Sequence, residues 1–220
     1  MILAIETTGD SCDIALLDND RILVDLRSAI PRSHDRLLAT LVSQAFDVAE
    51  CKPEHVSAVA LSVGPGSFTG IRIGLSFGIG FAMARTIPVV PVSALDAIAW
   101  HGRGVAEIGN RHRILSLIAD RRGAVYAALY QVDPVFQRLT APYNIPIEEL
   151  EPLLDENILA AGPGAALFDP LVCPCVHDDV LDITAAAIGR YGAELYRKGL
   201  AVPFDQVTPL YIAKATPHSK

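Results

Sequence analysis

The stretch from Ala58 to Arg85 constrains the fold most. AVALSV (58–63) is an unbroken apolar run, Gly64-Pro65-Gly66-Ser67-Phe68-Thr69-Gly70 comes directly after it, and an apolar helical pattern runs from about Gly70 to Arg85. A strand with no polar alternation is buried on both faces. A glycine-rich turn from such a strand into a helix belongs to a layered α/β protein. Gly70, Gly74, Gly78 and Ala82 recur at four-residue spacing and form one smooth line along the helix. A glycine inside a helix costs about 1 kcal/mol relative to alanine, so this line calls for a close backbone approach. The approaching surface is either the chain's own sheet or the helix of a partner.

The flanking pattern extends the α/β reading. ILAIE (2–6), CDIALL (12–17) and RILVDLR (21–27) read as three antiparallel strands, the last two joined by Asp18-Asn19-Asp20. Leu37, Leu38, Leu41, Val42, Ala45, Phe46 and Ala49 give a helix over 34–50 with Ser33 as its N-cap. IPVVPV (87–92) is a further strand and Ala94–Trp100 begins a helix. The polar, glycine-bearing stretch 101–113 reads as a loop and a boundary. This divides the chain into lobes of 1–100 and 101–220. In the second, 114–119 and 125–132 are strands, 133–182 is proline-rich with a short strand at 158–161, and 184–198 is a helix. No repeat of fixed short period is visible, and the opening pattern of the first half is only weakly echoed in the second.

The turn at 64–70 is an anion-site candidate, because helix N-termini carry free N–H groups. Thr7, Thr8, Gly9, Gly64, Gly66 and Ser67 are the candidate nucleotide- or phosphate-binding residues. The familiar phosphate and nucleophile motifs do not fit. A Walker loop needs lysine, the Rossmann spacing fails by one residue, and Ser67 lacks the G-x-S-x-G frame. A purely structural turn is the plainer reading.

Composition narrows the chemistry. The 220 residues are 51% hydrophobic and 20% charged, with a formal net charge of −7, which disfavours a free-standing nucleic-acid binder. Lysines stand only at positions 52, 198, 214 and 220, so no mechanism can use one between 53 and 197. Mean hydropathy is +0.35, yet the most apolar stretch, 73–84, is shorter than the roughly 20 residues of a bilayer span. The start of the chain reads as a strand rather than a signal peptide. Cys12, Cys51, Cys173 and Cys175 are few and irregular, which points to a reducing cytoplasm. Cys173, Cys175 and His177 cluster without a fourth ligand, so no metal site is expected. Asp96 and Asp120 are the tempting catalytic bases, with nothing in the sequence to place them in a cleft.

ILAIETT, VGPGSFTGIRIG, PVSALDAIA, DRRGAVYAALY and PLYIAKA, in that order, resemble the TsaB (YeaZ) family of the actin-like ATPase and sugar-kinase superfamily. The resemblance implies two similar lobes with mixed sheets flanked by helices. It implies a non-catalytic subunit that activates a TsaD-like transferase for N6-threonylcarbamoyladenosine (t6A) in tRNA. TsaD carries metal-binding histidines four apart, and Ala94 and Ile98 stand at the matching positions. Implied partners are the TsaD-like subunit and a TsaE-like ATPase, with a homodimer when alone, tRNA contacted only indirectly and no membrane. No cofactor is implied for the chain alone, with ATP or ADP only at an interface with partners. The family pairs through its first two helices, which makes Leu37, Leu38, Leu41, Ala45, Gly70, Gly74, Gly78 and Ala82 the expected partner-binding residues. On that reading, leucine at Gly74 blocks association in a folded monomer. Glu6 replaces the superfamily's usual aspartate, and Ala124 and Ala213 also depart from the family pattern, which weighs against nucleotide binding by this chain alone. The alternative is a stand-alone ATPase or kinase of the same superfamily.

Overall fold

A computed structural model describes residues 1–120, 123–150, 154–155, 157–167, 175–176 and 182–212. Two compact units emerge, one of residues 1–94 with 183–210 and the other of 95–182 with 211–220.

The first unit holds a five-stranded sheet in the order β3-β2-β1-β4-β5. Its strands are β1 (Ile2–Glu6), β2 (Cys12–Asp18), β3 (Arg21–Ser28), β4 (Ala58–Gly64) and β5 (Val89–Ser93). The pairs β1/β2 and β2/β3 are antiparallel, and β1/β4 and β4/β5 are parallel. Central β1 and β4 are buried throughout, while edge strand β3 alternates towards solvent.

On one face lie α1 (His34–Val48) and α2 (Phe68–Arg85). Leu38, Val42 and Phe46 of α1 and Ile71 and Leu75 of α2 join Leu3, Ile5, Ile14, Leu16, Val59 and Leu61 in one core. Ser33 stands at the N-cap position of α1 without capping it, because its hydroxyl donates to the Ile30 carbonyl at 2.6 Å. Burying about ten large aliphatic side chains outweighs such a missing cap, since each is worth roughly 1.5–3 kcal/mol and a cap about 1.

The other face is covered by α5 (Ala185–Arg197), capped by the Thr184 hydroxyl, which accepts from the Ala187 N–H at 3.1 Å. A Cβ on Gly189 would lie 2.3 Å from Leu17, and one on Gly192 would lie 2.6 Å from Ala60. The expected division at residue 100 is therefore corrected: 183–210, assigned by sequence to the second lobe, packs on the first unit's sheet. The same segment closes the sheet edge, where Val89 and Val202 exchange backbone hydrogen bonds of 2.9 and 2.8 Å. Leu210 then donates its N–H to the Val63 carbonyl at 2.8 Å.

The second unit's helix, α3 (Ala94–Ile108), runs on where a loop was expected over 101–113. Leu95, Ile98, Ala99, Gly102 and Ala106 form a continuous buried stripe, so small residues that read as a breaker are packing surface. The second sheet has the order β11-β10-β6-β7-β8, with β9 also on β7. These are β6 (Arg113–Asp120), β7 (Ala124–Gln131), β8 (Gln137–Arg138), β9 (Tyr143–Pro146), β10 (Ile158–Ala161) and β11 (Cys175–Val176); α4 is the single turn Ile147–Leu150. Antiparallel β7, central β6 and parallel β10 and β11 repeat the plan of β2, β1, β4 and β5.

Candidate functional site

Three strand ends meet at the top of the first sheet: β1 running into Thr7-Thr8-Gly9, the start of β2, and β4 running into Gly64–Ser67. The six candidate phosphate-binding residues fall in this one place. Several of their donors, however, are already engaged by the chain. Glu6 Oε1 accepts from the Thr8 N–H, from the Thr8 hydroxyl at 2.6 Å and from the Gly9 N–H at 3.2 Å. The Ser67 N–H donates to the Thr8 carbonyl at 2.8 Å, and Ser67 Oγ accepts from the Gly70 N–H at 3.2 Å as the cap of α2. Thr7 Oγ1 donates to the Gly70 carbonyl at 2.8 Å. Glu6 thus closes the Thr7–Gly9 turn on itself by holding the Thr8 and Gly9 donors.

The glycines are what allow this closure. Gly66 has φ +152, and a Cβ there would lie 2.5 Å from the Thr8 carbonyl oxygen. Gly64 has φ +106, and a Cβ there would lie 3.0 Å from the Leu210 carbonyl oxygen. A Cβ on Gly70 would lie 1.9 Å from Thr7 O, on Gly74 2.3 Å from Thr7 Oγ1, and on Gly78 2.3 Å from Leu61. Ala82 is fully buried in the same core. The partner-binding assignment of Gly70, Gly74, Gly78 and Ala82 is thus corrected: the stripe faces the chain's own β1 and β4. The physical reason is that α2 must lie almost on the sheet for its first turn to meet Thr7 and Thr8. Leu38 and Ala45 are likewise buried inside, while Leu37 and Leu41 remain on the flank of α1, outside the fully buried core.

The outward side of α2 carries other residues. Phe68 is 52% and Met83 58% exposed, with Arg72 standing 3.9 Å over the Phe68 ring. Ile73 and Phe77 are half-buried, and a Cβ on Gly80 would meet nothing within 4 Å. On α1, Val48 is 65% exposed. Sequence reasoning missed this face because the buried stripe of α2 is its most regular feature. Gly80, off the four-residue line, was the available signal.

Beneath the turn, Glu6 and Asp13 face each other in the β1–β2 register. Burial pushes the Glu6 carboxyl up, opposed by Ser62, by Thr8 and by the Thr8 and Gly9 backbone. Ser62 lies near enough to favour the anion, while Glu6 Oε2 has no partner of hydrogen-bond geometry. Asp13 is pushed up to about 7, first by burial, then by Glu6 and Asp25, against the pull of Ser11 and Arg27. Of the tempting bases, Asp96 accepts from the Tyr130 hydroxyl at 2.6 Å and pairs with Arg138 at 3.4 Å. Asp120 accepts from Asn144 at 3.4 Å. Both are tied into the second unit's own network. Ala94 and Ile98 are buried core residues. Among the described residues no cluster of three His, Cys, Asp or Glu could hold a metal, and no helix is long and apolar enough to cross a membrane. Cys173 and His177 lie outside the described residues, and of Cys175 only the backbone pairing of β11 is described.

A mixed sheet with a central strand between an antiparallel hairpin and parallel neighbours, helices on both faces and a second sheet of the same plan define a two-unit α/β protein. The same fold is seen in YeaZ from Pseudomonas aeruginosa, at a TM-score of 0.78 and 26% identity, covering 96% of this chain and 99% of that one. The chain belongs to the family whose model, described as TsaD, tRNA N6-adenosine threonylcarbamoyltransferase, matches residues 28–187, and within it to the TsaB (YeaZ) branch. The tRNA threonylcarbamoyladenosine biosynthesis protein TsaB of Bacillus subtilis is 29% identical over 176 residues, 78% of this chain and 74% of that protein. Its Escherichia coli counterpart is 33% identical over 135 residues, 60% of this chain and 55% of that protein. The aligned part thus spans little more than half of the E. coli relative.

Proposed function

We propose that this chain serves t6A formation in tRNA as a non-catalytic subunit that binds and activates a TsaD-like transferase. The observation that carries the reading is the outward side of α1 and α2. Phe68, Met83 and Val48 expose apolar surface there, and Gly80 leaves a smooth gap that nothing among the described residues fills. An uncovered interior glycine weakens a helix by about 1 kcal/mol, a cost that a close-packed partner helix offsets. Leu37 and Leu41 at the flank of α1 extend the same face. In this reading the partner is the TsaD-like subunit, a TsaE-like ATPase joins the pair, and a homodimer forms when the chain is alone. ATP or ADP binds only where subunits meet, since Glu6 already holds the Thr8 and Gly9 donors and the Ser67 N–H is spent on the Thr8 carbonyl. Transfer chemistry belongs to the partner, for Ala94 and Ile98 stand where the TsaD histidines are expected and tRNA is contacted through it.

The test is threonylcarbamoyl transfer to tRNA by the cognate TsaD and TsaE, with ATP and supplied threonylcarbamoyl-adenylate, with and without this chain. Modification should depend on the chain, and the chain alone should neither modify tRNA nor hydrolyse ATP. A Val48→Glu, Met83→Glu double variant should stay folded and lose the activation. Indifference of the reaction to this chain, or ATP hydrolysis by it alone, overturns the reading in favour of a stand-alone ATPase or kinase.

A further inference from the structure

The Glu6–Asp13 pair lies inside the first sheet, away from the partner face of α1 and α2. Both residues are 0% exposed, and their direct opposition in antiparallel strands sets the two side chains on one face of the sheet, with Cβ atoms about 5 Å apart. Three carboxylate oxygens, Glu6 Oε2 and both of Asp13, have no hydrogen-bond partner. Arg27 is the cation beside them, its Nε 3.8 Å from Asp13 Oδ1, and it also faces Asp25 on its own strand. Two buried carboxylates cannot both hold a charge beside one partly shared, half-exposed guanidinium. Three donors converge on Glu6 Oε1 and favour its anion over that of Asp13, against the burial that pushes the Glu6 carboxyl up.

We propose that Glu6 and Asp13 carry one proton between them, held on Asp13 and donated to Glu6 Oε2, and that its release loosens the Thr7–Gly9 turn and the start of α2. The link runs through a short chain of hydrogen bonds. Glu6 Oε1 anchors Thr8 and Gly9, the Thr8 carbonyl accepts from Ser67, and the Thr7 hydroxyl donates to Gly70. When the proton leaves to solvent, a second negative charge faces Glu6 and pushes its carboxylate out of that turn. The remaining titratable and charged neighbours are Cys12 on β2, Asp25 and Arg27 on β3, Arg190 of α5 beside Asp25, and His34 of α1, whose ring meets the Ser11 carbonyl at 3.0 Å. The Cys12 thiol is itself pushed up to about 12 by burial and by both carboxylates, so it stays neutral through this transition.

The pH dependence has a definite sign. Asp13 sits at about 7 in the fold, above the roughly 4 of an unfolded chain. The folded state therefore holds a proton that the unfolded state has lost between those limits. This contribution to stability is complete below pH ~4 and is lost as pH rises through about 7.

The experiment is a carboxyl-carbon NMR titration of the full chain, with the amides of Thr8, Gly9 and Gly70 followed in parallel. The Asp13 and Glu6 carbons should move together at a midpoint near 7, and the amides should move with them. Asp13→Asn places an N–H donor where the acid O–H stood, so it should remove the step and keep the low-pH amide positions into alkaline solution. Asp25→Asn and His34→Asn should leave the step in place. Separate titration of both carboxyls in the ordinary acid range, or amides that ignore the transition, overturns the proposal. If Asp13→Asn does not fold, the titration of the unaltered chain decides alone. None of these outcomes depends on the t6A role.

Discussion

Each unit contains Gly-Pro-Gly after the parallel neighbour of its central strand, and the two turns end differently. In the first unit, Gly64-Pro65-Gly66 stands at the end of β4 and leads into an eighteen-residue helix. In the second, Gly162-Pro163-Gly164 stands after β10 and leads into a five-residue 3₁₀ turn, Pro163–Leu167. Both first glycines have positive φ, +106 at Gly64 and +100 at Gly162. Both turns press towards the central strand: a Cβ on Gly66 would strike Thr8, just past β1, and one on Gly162 would strike Leu117 of β6. The tripeptide therefore solves one problem, close approach of a turn to the neighbouring strand. The length of the helix beyond it is set by other residues. Ser67 caps α2 and Gly70, Gly74 and Gly78 let the helix lie on the sheet, whereas Ala165 offers no cap at the matching place.

The largest expected effect sharpens what the stripe does. Gly74→Leu should prevent the first unit from folding, because its Cβ would start 2.3 Å from Thr7 Oγ1. Forced overpacking costs about 1–3 kcal/mol where neighbours can yield, and more where they cannot. Urea unfolding followed by circular dichroism reads this directly. Gly80→Leu, six residues on, should fold normally and gain a few tenths to about 1 kcal/mol of helix stability. Were the stripe a partner face, the two results would exchange.

A smaller effect separates the turns themselves. Gly162→Ala meets a backbone oxygen, Leu117 O, at 2.5 Å, while Gly64→Ala meets the tip of the Ile71 side chain at 2.9 Å and Leu210 O at 3.0 Å. Both strain a positive φ by about 1–2 kcal/mol, so the clash should make the Gly162 change the costlier. Trp100, in the second unit, reports its unfolding by fluorescence. Equal losses at the two sites would show that the strained φ, and not the clash, sets the cost of both turns.

Smallest is the cap. Ser67→Ala should cost about 1 kcal/mol, seen as a lower urea midpoint with an unchanged slope. Placing serine at Ala165 should change little, because no long helix among the described residues stands there to be capped.

Much of the fold is legible in the sequence. Strands 2–6, 12–17 and 158–161 announce themselves as apolar runs, and helices 34–50 and 184–198 by their periodicity. The loop expected at 101–113 was a misreading of Gly102 and Gly104, which punctuate a chain locally but here stand within a helix that presents a buried stripe. The repeat of Gly-Pro-Gly was present in the letters and passed unnoticed, since its two copies lead into unlike segments. Thr7, Thr8, Gly9 and the 64–67 turn could be grouped from their places after two strands. The capture of Thr8 and Gly9 by Glu6 could not be read, because their N–H groups donate to whichever anion is nearest, and only folding sets that distance.

By itself the sequence determined the alternation of strands and helices, the tight turn after β4, the shortage of lysine and the family. Those rest on local periodicity, turn chemistry and composition, which act over a few residues. The tertiary structure decided which surface the glycine stripe meets, that 183–210 returns to the first sheet, and that Glu6 and Asp13 share one buried face. Each of these joins residues far apart in the chain or sets a direction around a helix. A one-dimensional pattern shows that a face must be buried, and only packing shows against what.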